Sequence, residues 1–344
     1  MRSLSIRDRA EYFGRRAAWF AIGGAFNLAL RRAIGVKTQP PSRATLNALR
    51  RRFVQLVTAD LRNVEHGFYP RELVARPIVP GVMRVLPKLI RDAPHIVARK
   101  RRGDFKDLPS GLEGEEFPPY YRRNFHWQTD GYFSEHSAAI YEASVELLFR
   151  GSADVMRRQV IPHLTRPRAA GERIDRILDV GTGTGGFLEL LAAALPGAEL
   201  HGVDLSPAYV AAASRRLGPV GATLTCGNAE QLPFADASFD AITSVYLFHE
   251  LPRRARRNVV REAYRALRRG GLLVIEDSSQ YADAPELREV LDAFPREFHE
   301  PYYLDYLGDS LPELVHEIGF EVLAHESHMV SVVVAARKPL SRSM

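Results

Sequence analysis

The sequence has 344 residues, of which 46% are apolar and 26% charged, a composition typical of a globular protein with two domains or one enlarged domain. One cysteine, Cys226, excludes a disulfide framework and a cysteine-rich metal site, and it fits a reducing cytoplasm. Residues 1–110 hold 23 lysine and arginine residues against 8 acidic ones, a net charge of +15, whereas residues 111–344 hold 24 against 33. The first third therefore either meets an anionic surface or presents a solvated basic face.

Residues 1–37 contain an apolar stretch from Ala17 to Leu30 with arginine pairs at both ends. A helix needs about 20 apolar residues to span a bilayer, so this stretch is too short. Two interpretations stay open. The helix either lies at a membrane surface with Trp19, Phe20 and Phe26 inserted, or packs on the rest of the protein.

After a proline-rich break at 38–45, apolar residues recur at helical spacing from Leu46 to Leu61 and predict one amphipathic helix. Five prolines between residues 70 and 94 then predict short helices. The basic run at 99–102 is explained equally well by a solvated turn and by a nucleic-acid contact. It lacks interleaved aromatic residues, so we expect no nucleic-acid partner. Residues 1–110 are thus predicted to form a basic helical extension.

Residues 111–170 are rich in aromatic side chains and are predicted to form a helical lid or linker. Tyr121, Phe125, Trp127 and Tyr132 precede a helix start near His136. These rings could shield a cofactor pocket from water, or could simply form the core of the preceding segment. Tyr132 and His136 are candidate contacts to a substrate.

The pattern changes at Ile174, where a short apolar strand, a glycine-rich turn, a helix and a second strand ending at Asp204 predict a βαβ unit. The loop Gly181-Thr182-Gly183-Thr184-Gly185-Gly186 fits two templates. Read as GxGxxG, it is a dinucleotide fingerprint with Asp204 on a ribose. Read as DxGxGxG from Asp179, it resembles motif I of the class I S-adenosylmethionine (SAM)-dependent methyltransferases. Asp179 favours the second template, because an acid would repel an anionic pyrophosphate, whereas SAM carries an ammonium and a sulfonium.

Further along, "NAEQLPF…SFD" followed by "LFHELP" resembles the ubiquinone/menaquinone C-methyltransferase-like branch of that family. The resemblance implies that SAM is the cofactor, that Asp204 holds the ribose hydroxyls, and that Asn228, where Asp is usual, reads the adenine edge with the next backbone N–H. The implied cofactor-binding residues are Asp179, Gly181, Thr182, Gly183, Gly185, Asp204, Leu205, Asn228 and Ala229, and Tyr246 at the end of the fourth strand is predicted to line the same pocket.

The remaining elements alternate between strand and helix, and the last two strands, 320–330 and 330–338, can pair as an antiparallel hairpin. We therefore predict an α/β fold for residues 171–344: a doubly wound, mostly parallel, class I methyltransferase (Rossmann-like) sheet with a reversed C-terminal strand. Gly270 and Gly271 are expected to close the helix that precedes the fifth strand. The resemblance covers about 174–337.

His249 and Glu250 follow the fourth strand at the carboxyl edge of the sheet, where ligands of open α/β sheets bind, and are the candidate catalytic residues. His249 could act as a general base or could merely fix its loop. Tyr302, Tyr303 and Tyr306 are candidate contacts to a planar or lipophilic acceptor. We predict no metal site; His325 and His328, three apart in a strand, face opposite sides.

The sequence thus predicts a cytoplasmic, SAM-dependent methyltransferase acting on a small, partly apolar acceptor by C- or O-methylation, with possible peripheral membrane contact through the N-terminal helix. One rival is a SAM-binding or assembly protein without catalysis. A second is an NAD-dependent oxidoreductase. A third, a nucleic-acid methyltransferase, lacks the Asn-Pro-Pro-aromatic type of motif that amino-group methylation requires. The sequence does not set the oligomeric state.

Overall fold

The computed structural model describes residues 5–34, 40–75, 79–110, 112 and 117–340. A seven-stranded sheet lies at its centre, with strand order β3-β2-β1-β4-β5-β7-β6. Strands β1 to β5 are parallel, and β7 runs antiparallel to both β5 and β6. The predicted fold class, including the reversed strand and the C-terminal hairpin, is confirmed. The strands are β1 (Arg176–Val180), β2 (Glu199–Asp204), β3 (Thr223–Cys226), β4 (Phe239–Val245), β5 (Leu267–Ser278), β6 (Glu321–His328) and β7 (Ser331–Arg337).

Helices precede the sheet, connect its strands and fill the segment between β5 and β6. The α-helices are α1 (Ile6–Ile34), α2 (Arg43–Glu65), α3 (Glu72–Ala75), α4 (Val79–Arg102), α5 (Glu135–Leu148), α6 (Ala153–Arg157), α7 (Pro162–Ala169), α8 (Gly186–Ala194), α9 (Pro207–Leu217), α10 (Arg253–Ala266), α11 (Arg288–Phe298), α12 (Tyr303–Leu307) and α13 (Leu311–Ile318). Short 3₁₀ turns include Phe125–Trp127 and Phe248–Glu250.

Alternate residues of the central strands bury their side chains on opposite faces of the sheet, as the period of two in a β-strand requires. In β5, Leu273 and Ile275 belong to one apolar core with α10 and α13, whereas Leu272 and Val274 belong to a second core with α2 and α8. Both faces of the sheet are therefore covered at its centre, where β1, β4, β5 and β7 bury nearly all of their residues.

Helix α2, from the basic N-terminal third, covers part of the sheet face on which Leu272 and Val274 lie. Leu56, Val57 and Leu61 pack in the same core as residues of α8 and β7. Buried Asp60 of α2 also accepts hydrogen bonds from Arg158, whose Nε and Nη2 lie 2.8 and 2.6 Å from its carboxylate, and from the hydroxyls of Tyr12 and Tyr69. The N-terminal helices and the sheet thus share one interior.

Helix α1 packs against this assembly through its aromatic residues. Trp19 is buried in a cluster with Val82 and Leu147, and the ring of Phe20 lies 4.7 Å from that of Phe53. Two of the three side chains named for membrane insertion, Trp19 and Phe20, therefore contact protein, while the side chain of Phe26 lies outside the described residues. Among the helices of the described part of the chain, none is long and apolar enough to cross a membrane.

The structure corrects the predicted short helices, because residues 79–102 form one long helix that contains Pro87 and Pro94. These prolines are seven residues apart on the exposed side of α4, where water can take over the hydrogen bonds that they remove. The fourth strand ends at Val245, one residue before Tyr246, which adopts a left-handed conformation (φ 58°). Gly270 and Gly271 lie inside β5 rather than before it.

Candidate functional site

The glycine loop between β1 and α8 turns back on the end of β2. The N–H groups of Gly181 and Thr182 both donate to the carbonyl of Val203, at 2.9 and 3.0 Å. Gly181, Gly183 and Gly185 have φ values of 73°, 56° and 78°, a region that side chains disfavour. A Cβ on Gly183 would meet no atom within 4 Å and would project into open space, so the backbone is exposed there to a ligand.

Asp204 at the end of β2 is fixed by backbone donors. Its Oδ2 accepts from the N–H of Gly183 at 2.8 Å, and its Oδ1 accepts from the N–H of Ser206 at 2.9 Å. Burial raises the pKa of Asp204 to about 6, although these two N–H groups act in the opposite direction. Each oxygen keeps a further lone pair for a ligand.

A pocket opens beside this loop at the carboxyl edge of the sheet, where β1 and β4 are neighbours and the strand order reverses. Seven of the predicted cofactor residues line it: Gly181, Gly183, Asp204, Leu205, Asn228, Ala229 and Tyr246. Of the other predicted residues, Glu250 and Tyr132 also line it.

The side chain of Asn228 is held in a tight turn, because its Oδ1 accepts from the N–H of Glu230 at 2.9 Å. Asp179, Thr182 and Gly185 are not among the lining residues. Asp179 lies beneath the loop and accepts from the hydroxyl of Thr243 at 2.8 Å, and burial raises its pKa to about 7. Gly185 begins α8, and a Cβ there would lie 2.8 Å from Leu217.

Tyrosines from the aromatic segment cover the pocket. Tyr120, Tyr121 and Tyr132 line it together with Tyr141 of α5 and Tyr209 of α9. Sequence analysis had named Tyr121 and Tyr132 as lid residues, but Tyr120, Tyr141 and Tyr209 were missed. Tyr120 could have been found, because it lies in the same aromatic-rich run, 118–132, as Tyr121 and Tyr132. Tyr141 and Tyr209 could not, because their spacing within helices is the same as that of core residues.

This aromatic cover is tied to the sheet domain by hydrogen bonds. The hydroxyl of Tyr120 donates to Glu230 at 2.7 Å, and that of Ser206 donates to the carbonyl of Tyr132 at 2.5 Å. Gln128 donates to the hydroxyl of Tyr209 at 2.9 Å. Three separate contacts therefore position the tyrosines over the glycine loop.

Two residues of the basic run at 99–102, for which a solvated turn and a nucleic-acid contact were both open, donate to backbone carbonyls. Arg99 is only 2% exposed and donates to the carbonyl of Trp127 at 2.6 Å and to Asp107 at 3.1 Å. Lys100 donates to the carbonyl of Glu297 at 2.7 Å. The basic run is thus the last turn of α4, and part of it is buried because it satisfies backbone carbonyls.

His249 is 6% exposed and, unlike its neighbour Glu250, is not among the residues that line the pocket. Its Nδ1 lies 2.7 Å from Asp277 at the end of β5, and the rings of Tyr303 and Tyr306 pack edge-on against its imidazole. Burial lowers the pKa of His249, but the charge and hydrogen bond of Asp277 outweigh it and raise the pKa above the usual value.

The structure places the remaining predicted acceptor contacts away from the pocket lining. The hydroxyls of Tyr303 and Tyr306 bond to Ser278, each at 2.5 Å. Tyr302 packs edge-on against Tyr120, and His136 is 37% exposed near Asp92.

Glu250 belongs to a buried cluster of polar groups at the pocket. The hydroxyl of Tyr132 donates to its Oε1 at 2.5 Å, and the Nε2 of His126 lies 3.4 Å from the same oxygen. His126 Nε2 is also 3.2 Å from the Oε1 of Glu300. Burial, followed by the charges of Glu250 and Asp277, raises the pKa of Glu300 well above its usual range. Sequence analysis missed His126 and Glu300, which belong to distant segments.

Comparison with known proteins agrees with this geometry. Residues 177–271 match the family described as "Methyltransferase domain". A demethylmenaquinone methyltransferase of Thermotoga maritima is 41% identical over 101 residues, which are 29% of this chain and 42% of the relative. The ubiquinone/menaquinone biosynthesis C-methyltransferase UbiE of Desulfotalea psychrophila is 29% identical over 171 residues, or 50% of this chain and 64% of the relative. A malonyl-[acyl-carrier protein] O-methyltransferase of Methylococcus capsulatus is 40% identical over 129 residues, or 37% and 44%. The chain thus spans between 42% and 64% of the length of these relatives.

The strand order, the reversed β7 and the glycine loop at the carboxyl edge define a class I methyltransferase fold. Residues 177–271 therefore form a methyltransferase domain, and this part of the chain is similar to ubiquinone/menaquinone C-methyltransferases.

Proposed function

We propose that the protein binds SAM and transfers its methyl group to a small, partly apolar acceptor by C- or O-methylation. The observation that carries this proposal is the position of Asp204: it lines the pocket, is held by the N–H of Gly183, and is the last residue of β2, the strand that pairs with β1. The residues present fit SAM, because a carboxylate, an amide at Asn228 and an exposed backbone at Gly183 surround one pocket.

Asp204 would hold the ribose hydroxyls, and Asn228 with the N–H of Ala229 would hold the adenine edge. SAM supplies a methyl group activated on a sulfonium. The tyrosines above the pocket exclude water and present ring faces to a cation. Since methyl transfer is an in-line displacement, holding the acceptor about 3–3.5 Å from the methyl and aligned with it supplies much of the acceleration.

Two groups are proposed to act on the acceptor. Glu250 lines the pocket and faces it with the hydroxyl of Tyr132, so it would contact an acceptor directly. His249, fixed by Asp277, would hold the turn that carries Glu250, or would accept a proton from an acceptor that reaches it. Tyr302, Tyr303, Tyr306 and His136 would shape the acceptor side from outside the lining.

Titration calorimetry with SAM, S-adenosylhomocysteine and NAD in parallel tests the cofactor. Micromolar binding of the first two and none of NAD is expected. Binding of NAD alone would favour an oxidoreductase. Binding of SAM without turnover on any phenolic, quinone-like or acyl acceptor would favour a SAM-binding protein without catalysis.

We propose a cytoplasmic location with peripheral contact to anionic membranes. Met83 and Ile90, seven residues apart on α4, are 58% and 64% exposed, and exposed basic side chains at 84, 88 and 91 flank them. Apolar side chains among cations are typical of helices that lie in a membrane interface. The full chain should co-sediment with anionic vesicles but not with zwitterionic ones.

Replacing both Met83 and Ile90 by serine should abolish that co-sedimentation. Val54→Ser, which changes an exposed apolar residue of α2, is the matched control and should leave it intact. Equal binding by the double variant and the control would contradict the membrane proposal.

A further inference from the structure

Three segments that are remote in the sequence bring metal-ligating side chains together beside the pocket. His126 comes from the turn before α5, Glu250 from the turn after β4, and Glu300 from the connection between α11 and α12. One nitrogen or oxygen from each side chain lies within 4.8 Å of the others, close enough for a single ion to contact all three. Because Glu250 and Tyr132 line the pocket, the cluster opens onto it.

The cluster brings several carboxylates close together. The side chain of Glu300 is fully buried, and within the described residues neither of its oxygens accepts a hydrogen bond. Glu250 and Asp277 add two further carboxylates, of which Asp277 is already occupied by His249 and by the N–H groups of Phe248 and Ser278. Buried charges in proteins are paired or coordinate metals. A divalent cation would provide a partner for the two carboxylate oxygens of Glu300.

The guanidinium of Arg123 is held by other groups. Arg123 partly offsets the charge on Glu300, but its Nε donates to the carbonyl of Tyr120 and its guanidinium lies over the rings of Phe105 and Tyr302. The Nε2 of His126 is thus the nitrogen that faces both carboxylates, at 3.4 and 3.2 Å, and a bound ion would take the place of its proton.

The ligand positions are fixed by their neighbours. His126 and Trp127 have φ values of 54° and 58°, and this unusual backbone is held by Arg99 on the carbonyl of Trp127 and by the indole of Trp127 on the carbonyl of Glu297. The hydroxyl of Tyr132 orients Glu250. Such supporting contacts determine the geometry and affinity of metal sites.

We propose that His126, Glu250 and Glu300 bind one divalent transition-metal ion, of the Mn²⁺, Fe²⁺ or Zn²⁺ kind, beside the cofactor pocket. One imidazole and two carboxylates suit these ions, and three protein ligands leave coordination positions open toward the pocket. The role of the ion rests on the proposed function: it would hold an oxygen of an enol- or phenol-type acceptor in register with the methyl group. The binding itself does not depend on that function.

The test uses the full chain after chelator treatment, without SAM or acceptor. Mn²⁺ alone is titrated and followed by the loss of its free electron paramagnetic resonance signal, and Zn²⁺ and Mg²⁺ are titrated by calorimetry. We expect one Mn²⁺ or Zn²⁺ per chain, and at least tenfold weaker binding by Glu300→Gln and by His126→Gln. Glu146→Gln, a buried glutamate outside the cluster, is the matched control and should bind as the unaltered protein does.

Two variants keep the test decisive, because His126 is partly exposed and its replacement should fold even if that of Glu300 does not. No bound ion in the unaltered chain, or equal binding by both cluster variants and the control, would overturn the proposal. Mg²⁺, which prefers oxygen ligands, should bind more weakly than Mn²⁺; equally tight binding would contradict coordination of the ion by the imidazole of His126. If the chain binds SAM but no ion, the result contradicts this inference and leaves the proposed function intact. If it binds the ion but no SAM, the result contradicts only the proposed function.

Discussion

Replacing Asp204 by alanine tests the cofactor assignment most directly. A carboxylate offers about four acceptor positions, and the N–H groups of Gly183 and Ser206 occupy two of them, at 2.8 and 2.9 Å. The remaining two suit a pair of ribose hydroxyls. Since hydrogen bonds to a charged group contribute about 1.5–3 kcal/mol, we expect Asp204→Ala to weaken SAM binding by about 1–3 kcal/mol in net terms.

That free energy corresponds to a rise of roughly 5- to 150-fold in the dissociation constant. Calorimetric titration with SAM measures it, and thermal melting of the same sample shows whether the variant is folded, because the substitution also leaves two backbone donors without an acceptor. Asp236→Ala removes an aspartate whose side chain is 79% exposed and should bind SAM normally. An unchanged dissociation constant in folded Asp204→Ala would refute the ribose assignment.

Three further predictions concern pH, turnover and stability. Because burial raises the pKa of Asp204 to about 6 and the ligand needs the carboxylate, SAM affinity should be constant above about pH 7 and fall as the pH drops through 6. Calorimetry across that pH range measures the affinity. The same pH dependence in Asp204→Asn would contradict the assignment to Asp204. His249→Gln, which can still donate to Asp277, should bind SAM normally and turn over more slowly, so an equal loss of both would remove any separate role of His249 in catalysis. Asp60→Asn leaves the buried guanidinium of Arg158 uncompensated and should lower the free energy of unfolding, measured in urea, by about 3–5 kcal/mol. The exposed control Asp236→Asn should lower it by less than about 1 kcal/mol. A similar loss in both variants would show that the buried ion pair contributes no more to stability than the exposed one.

Local patterns in the sequence predicted the sheet and half of the site. The glycine loop, the strand ending at Asp204 and the alternation of strand and helix each depend on residues close together in the chain, so their spacing alone predicts their geometry. The predicted hairpin of β6 and β7 was correct for the same reason.

Features that depend on tertiary packing escaped prediction. Two prolines inside α4 look like helix ends in the sequence, because their tolerance depends on which side of the helix faces water. Arg99 looks like a surface cation, because the carbonyl of Trp127 that it satisfies belongs to another segment. His126 and Glu300 carry no local signal at all, since only the folded chain places them beside Glu250.

Because α2 and the sheet share one apolar core, the boundary of the family match does not coincide with the boundary of the folded unit. The match to the methyltransferase-domain family begins at residue 177, yet Leu56, Val57 and Leu61, far upstream of that point, pack in the same core as α8 and β7. A gene fragment trimmed to the region of similarity would therefore expose a broad apolar surface and should aggregate. For recombination between relatives, the crossover points suggested by alignment would separate halves of one core, and chimeras of this enzyme fold should retain α2 together with the sheet that it covers.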